Sequence, residues 1–293
     1  MSMHLDHLRP GRTRKHRLSR LCLTAVALML LMPVVLTLLY SFFSPEEVLE
    51  QLQLRGSFSE TRFMPILLIP RMISMSQYYE VLLKDNGILQ RFLLSAFYEV
   101  MVVAGQAVFI PALAYALSAF RFRGRNALFL LMMLLMLLPF QVTMVPNMLM
   151  LRALSLLDTV WAVILPMWFA PFYVFLIRQF MVGIPRELYE ACQLDGAGTI
   201  GCYWHVALPV SRPVLGAAAA LSFADIWNMI EQPLTFLSHR EDLQPLSTVF
   251  NRLIDVPSGI EFAGAALYML PALFVYLFFL EDIVSGIQLT ELK

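Results

Sequence analysis

Asp225, Asn228, Glu231 and Gln232 crowd into residues 213–237, a stretch that is otherwise apolar. The neutral polar groups among them suit the hydroxyls of a sugar, and the same inventory would suit other polar solutes. Trp227 among them offers a flat apolar face to the carbon side of a sugar ring. Read as one helix, Asp225, Asn228 and Gln232 fall at i, i+3 and i+7 with Glu231 beside Asn228, so all four share one broad face. Tyr98, Glu99 and Gln106 interrupt residues 93–120 in the same way, and Gln141, Thr143 and Asn147 follow Pro139 in 127–151. An ionisable group at membrane depth costs about 2.5–3.5 kcal/mol on insertion scales. Such groups therefore either line a solute route or hold helices together, and both readings stay open. Glu99 lies close to the outer end of its stretch, where its side chain can reach water. Glu99, Trp227, Asn228, Glu231 and Gln232 are the candidate route residues.

Groups for bond-making chemistry are lacking. No Gly-x-x-x-x-Gly-Lys-Ser/Thr loop exists to cradle nucleotide phosphates. The histidines stand apart at 4, 7, 16, 205 and 239, and Cys22, Cys192 and Cys202 have no metal-ligand spacing. The chain is expected not to be an enzyme and to bind no metal or cofactor of its own.

A second polar interlude, "ELYEACQLDGAGTIGCYWHVALP" at residues 187–209, contains no Lys or Arg. Pro185 suits the first turn of a helix, and Glu187 and Glu190 suit the positive end of its dipole. Leu188, Ala191 and Leu194 recur at helical spacing. Asp195-Gly196 is a turn dipeptide, Gly198 and Gly201 add freedom, and a second amphipathic stretch runs to Pro209. The pattern predicts two short helices joined by a tight bend. Helices that lie on lipid headgroups carry Lys and Arg on their polar face, so a groove on a cytosolic protein suits this knuckle better than a membrane surface.

These interludes must be positioned by membrane helices. Of 293 residues, 59% are hydrophobic and only 14% charged, against roughly 25% charged in soluble domains. Stretches of about 20 apolar residues, enough to cross a bilayer, occur near 21–43, 93–120, 127–151, 158–181, 213–237 and 260–280. The first is longer than a signal-peptide core and lacks a small-x-small cleavage site, so it is read as retained. Arg9, Arg12, Arg14, Lys15, Arg17 and Arg20 precede it, Arg121, Arg123 and Arg125 crowd a short loop, and Arg178 and Arg186 flank the fourth span. The bias of basic residues toward the cytoplasm then places both termini inside. The expected organisation is a cytoplasmic basic segment (1–20), a first span (21–43), an external loop (44–92) and a five-helix core (93–293) with a cytoplasmic loop at 182–210.

Glu190-Ala191-Cys192, three residues, Gly196, nine residues and Val206-Ala207-Leu208-Pro209 together resemble the "EAA" loop of ABC importer permeases. The family form is Glu-Ala-Ala, three residues, Gly, nine residues, Ile-x-Leu-Pro; Cys192 and Val206 depart from it and keep its size and apolarity. "LLPFQVTMVPNMLMLRALSLLDT" (137–159), "PFYVFLIRQFM" (171–181), "IPRELYEACQLDGAG" (184–198) and "WNMIEQPLTFL" (227–237) are similar to maltose-type carbohydrate permeases, in particular the shorter six-helix subunit. The ending "GIQLTELK" departs from the Gly-rich tail common there.

The resemblance implies an all-α integral membrane protein of six transmembrane helices with the type I ABC importer permease fold. It implies a subunit of an ATP-driven importer for a sugar or oligosaccharide in a bacterial or archaeal cell (inner) membrane. Glu187, Glu190, Ala191, Asp195, Gly196, Leu208 and Pro209 would then form the coupling element on which ATPase subunits dock, those subunits using ATP and Mg. The other implied partners are a second permease subunit in a heterodimer, an extracytoplasmic solute-binding protein and membrane lipid, with no nucleic acid. The alternatives are an importer for a polyol phosphate, amino acid or peptide, and an ATPase-independent secondary transporter. The latter would require an inverted repeat, and none is visible.

Overall fold

The computed structural model describes residues 10–56, 69–84, 86–253 and 260–281. Expectations for 1–9 of the basic segment, for 57–68 of the first external loop and for the tail from 282 onward lie outside the described residues. Every regular element among the described residues is helical, and the chain forms two units.

In the first unit, α1 (Pro10–Tyr40) carries the first span, and its side chains from Leu21 to Met32 are exposed and, Thr24 apart, apolar, a face suited to lipid. Helix α2 (Pro45–Gly56) follows with Glu46 and Glu47 at its positive end. Gln77 closes the unit. Its Nε2 donates to the carbonyls of Tyr40 and Phe43, both at 2.8 Å, and its Oε1 accepts from the Ala263 amide at 3.2 Å. One fully buried amide thereby satisfies a helix C-terminus and a helix N-terminus, whose backbone groups have no partner within their own helices.

The second unit is built on α3 (Asn86–Ala119). Against it pack α6 (Val160–Trp168), α7 (Pro171–Val182) and α10 (Arg212–Trp227), while α4 (Arg125–Leu137) leans on α7. Between helices in lipid the apolar effect supplies little attraction, so close approach of small residues must serve. Gly105 provides one such approach: a Cβ there would overlap the Trp168 indole, whose Nε1 donates to the Met101 carbonyl at 2.9 Å. Ala114 on α3 and Ala218 on α10 provide another, in a core with Ile110, Tyr173 and Ile177. The last long helix, α12 (Glu261–Phe278), contributes its residues through Ala266 to the first unit and the remainder to the second.

Four helical stretches are long and apolar enough to cross a membrane: Ser19–Tyr40, Gly87–Ala119, Val160–Val182 and Glu261–Phe278. The expected spans at 127–151 and 213–237 are not straight helices. Arg125–Leu137 and α5 (Phe140–Ala153) meet at 109°, Thr199–Val210 and Arg212–Trp227 meet at 73°, and the count reaches six only if each of these bent pairs is one span. The cause of the first bend is local. Leu138 precedes Pro139 and takes extended ψ 125°, because the proline ring disfavours helical geometry at the residue before it.

In 213–237 the helix ends at Trp227 with Asn228 as its C-cap, and α11 (Glu231–Phe236) starts afresh. Pro233 could not donate to the Met229 carbonyl, and its ring would clash with it. That carbonyl accepts instead from the Ser247 hydroxyl at 2.5 Å. Asp225, Asn228, Glu231 and Gln232 therefore do not lie on one continuous helix face, contrary to the periodicity argument.

Candidate functional site

The knuckle forms as its sequence predicts. Helix α8 (Arg186–Leu194) is closed by Asp195, and Gly196 takes φ +84°. The Gly196 amide donates to the Gln193 carbonyl at 3.0 Å and the Ala197 amide to the Cys192 carbonyl at 3.1 Å. These are the two bonds of a Schellman C-cap, with glycine at its left-handed position. Helix α9 (Thr199–Cys202) follows, then a π-helical turn at Tyr203–Ala207 and a short turn at Leu208–Val210 that carries Pro209.

One face of the knuckle is anchored to the unit. The Tyr115 hydroxyl donates to the Thr199 carbonyl at 3.0 Å, and the Tyr115 ring lies 5.2 Å from Tyr203 and 6.3 Å from Tyr189. Cys192 and Cys202 are buried beneath, and hydrogen bonding to Cys202 followed by burial pushes the Cys192 thiol up to about 11. A thiol held protonated is a poor nucleophile, so the pair serves packing.

The opposite face is bare. Leu194 is 89% exposed and Ile200 76%, with Leu188 and Trp204 exposed beside them. The stripe of Leu188, Ala191 and Leu194 read from the sequence thus points away from the core. Glu187, Glu190, Asp195, Gly196 and Pro209 are exposed around it, and Leu208 is half-buried. An outward apolar stripe set among acids is what a helix docked in a partner's groove requires.

A cavity of about 520 Å³ is lined by the polar residues Gln106, Tyr173, Ser222, Asp225, Glu231 and Gln232, with Phe140, Pro166 and Phe169 as apolar walls. That volume falls in the range of sites for small ligands. The Tyr173 hydroxyl donates to Asp225 Oδ2 at 2.5 Å, and Gln141 Nε2 donates to Glu231 Oε1 at 2.9 Å. Ser222 Oγ donates to Gln106 Oε1, and Gln106 Nε2 donates to the Met167 carbonyl at 2.7 Å.

Of the candidate route residues, Glu231 and Gln232 line this cavity and the other three do not. Trp227 is 3% exposed, stacks on Phe223 and Tyr268, and donates through Nε1 to the Tyr268 carbonyl at 3.0 Å. Asn228 Nδ2 caps the Ala224 carbonyl at 2.9 Å. Glu99 does not reach water: it is 5% exposed, and neither carboxyl oxygen has a hydrogen-bond partner among the described residues. The sequence reading had noted Gln106 and Asp225 without singling them out, and it missed Tyr173 and Ser222. A tyrosine or serine within an apolar run carries too little polarity to mark a lining position.

Residues 107–281 match the family model described as "Binding-protein-dependent transport system inner membrane component". The arabinooligosaccharides transport system permease protein AraQ of Halalkalibacterium halodurans is 31% identical over 205 residues, covering 68% of this chain and 72% of AraQ. The sn-glycerol-3-phosphate transport system permease protein UgpE of Yersinia pestis is 37% identical over 125 residues, covering 43% of this chain and 44% of UgpE. A chain in the crystal structure of a bacterial ABC transporter involved in the import of the acidic polysaccharide alginate superposes with a TM-score of 0.78. At 22% identity, over 94% of this chain and 99% of that one, this shows a shared fold.

Proposed function

The chain belongs to the family of binding-protein-dependent transport system inner membrane components, multi-pass transport subunits rather than enzymes, and on that premise we propose that it is the permease subunit of an ATP-driven importer for a sugar or oligosaccharide. The observation that carries the coupling half of this reading is the outward stripe of Leu188, Ala191 and Leu194 ringed by Glu187, Glu190 and Asp195. Such a face costs solubility unless a partner covers it. In this reading an ATPase subunit grips it, and Gly196, Leu208 and Pro209 fix its shape. The ATPases bind ATP and Mg, and this chain passes their motion to the solute.

For the solute half, the cavity beside Asp225, Glu231 and Gln232 lies on the route, supported by its volume and by its polar lining in an apolar surround. Similarity to AraQ supports a carbohydrate cargo. The similarity to UgpE favours one second reading, a polyol phosphate. The chain pairs with a second, non-identical permease subunit and receives solute from an extracytoplasmic binding protein. Both termini face the cytoplasm in the cell (inner) membrane.

The test is reconstitution of the complete transporter in vesicles. The expected result is uptake of a neutral oligosaccharide that needs binding protein outside and ATP on the side of the knuckle. Uptake that follows an ion gradient and ignores ATP would make the chain a secondary transporter.

A further inference from the structure

The charge of the cavity lining goes beyond its volume and polarity. Asp225 and Glu231 are its two ionisable carboxylates, and no Lys, Arg or His lines it. Each carboxylate has one neutral partner, the Tyr173 hydroxyl for Asp225 and the Gln141 amide for Glu231, and no ion pair among the described residues includes either. Gln106 is held by Ser222 and the Met167 carbonyl, whereas the Gln232 amide, also in the lining, carries no hydrogen bond among the described residues. Beside that one amide, the free capacity lies on the second oxygens of Asp225 and Glu231, which can only accept hydrogen bonds when ionised. A solute that binds to these oxygens must bring donors. Hydroxyls do so, whereas carboxylate or phosphate groups meet two like charges with no countercharge, an arrangement that discriminates by repulsion.

We propose that this cavity admits uncharged, polyhydroxylated solutes and turns away anionic ones, with Asp225 and Glu231 as the selectivity-determining groups. The proposal rests on the reading of the cavity as the solute route. It separates this chain's cargo from an acidic polysaccharide and from a polyol phosphate, the solutes printed in the names of two of its relatives.

The test reads the local potential directly. In the complete transporter, Gln232→Cys is treated with a trimethylammonium methanethiosulfonate and, separately, a sulfonate one, with the transporter lacking that cysteine as background. Each rate is normalised to the reagent's rate with a free thiol in solution. The cationic reagent is expected to win by at least ~10-fold, the enrichment that a cleft of one charge sign produces. Adding Asp225→Asn and Glu231→Gln, singly and together, should move the ratio stepwise toward one. A neutral trisaccharide should protect the cysteine, and a galacturonate trimer at the same concentration should not.

Equal rates for the two reagents in the parent carrying both carboxylates, or protection by the uronate alone, overturn the charge rule and leave the route standing. Absence of labelling by either reagent removes the route, and the proposal with it. Because the parent ratio is decisive by itself, a variant that fails to assemble does not spare the proposal.

Discussion

Replacing Gly196 separates the shape of the knuckle from its chemistry. The residue sits at φ +84°, and a Cβ placed there meets nothing within 4 Å. A substitution therefore introduces no clash, and its whole cost is the left-handed backbone, about 1–2 kcal/mol for an ordinary L-residue. A β-branched side chain stands at the upper end of that range and asparagine well below it. The anchored face is untouched by the change, because Tyr115 still holds the Thr199 carbonyl and Cys192 and Cys202 remain buried.

Gly196→Val should thus leave the chain inserted and paired while shifting the knuckle out of its docking geometry by about 5- to 30-fold in population. Gly196→Asn should stay near the parent. Gly198 is the internal control: at φ −70° and ψ 177° it is ordinary extended backbone, and open space surrounds its Cβ position. Gly198→Ala should be silent. The assay is purification of each complex, followed by measurement of retained ATPase subunits and of hydrolysis stimulated by solute-loaded binding protein. Normal retention and coupling in Gly196→Val, or an equal loss in Gly196→Val and Gly198→Ala, would show that the bend is not what presents the docking face.

The exposed acid on the same face gives a charge test: Glu190→Lys should lower ATPase retention with normal membrane insertion, and unchanged retention would remove Glu190 from the contact. Gly105→Ala pushes a methyl into the Trp168 indole, which Phe109, Trp161 and the Met101 carbonyl hold in place. A loss of about 1–3 kcal/mol is expected, as for other overpacked sites, seen as a lowered melting temperature of the purified complex; unchanged melting would mean that the indole can yield. A cysteine replacing exposed Arg123 should resist a membrane-impermeant thiol reagent in intact cells, and ready labelling would invert the orientation and with it the docking assignment.

The knuckle was legible in the sequence because its determinants are local. The Asp195-Gly196 pair, the spacing of Leu188, Ala191 and Leu194, and the proline boundaries each act within a few residues. The straight third and fifth spans were illegible for a related reason: a hydropathy window averages over the backbone and cannot see a bend. Pro139 and Pro233 sat in plain view, but membrane helices tolerate proline when neighbours satisfy the freed carbonyls. Whether a proline kinks a helix or ends it is decided by distant partners, such as Ser247 on the Met229 carbonyl. The cavity depends on the same long-range placement. Gln106, Tyr173 and Ser222 come from three separate helices, and no spacing along the chain relates them.

Those three helices also bring the two sites into physical continuity. Gln106 and Tyr173 line the polar cavity and also a smaller cavity of about 140 Å³ with Ile110, Ile177 and Ala218. Leu208, which precedes the last residue of the knuckle's motif, lines this second space. The polar cavity and the apolar gap therefore share two lining residues, and one residue of the knuckle lines the gap. An apolar cavity of this kind offers water too few partners to hold it, so it is room into which side chains can move. Closely packed interiors pass a displacement on rather than absorbing it, and a void relieves that constraint at one place. In the proposed reading, a shift of Leu208 toward Tyr173 would press on the residue whose hydroxyl holds Asp225. The motif thus matters, in that reading, for where it puts Leu208 as much as for the exposed face it offers a partner.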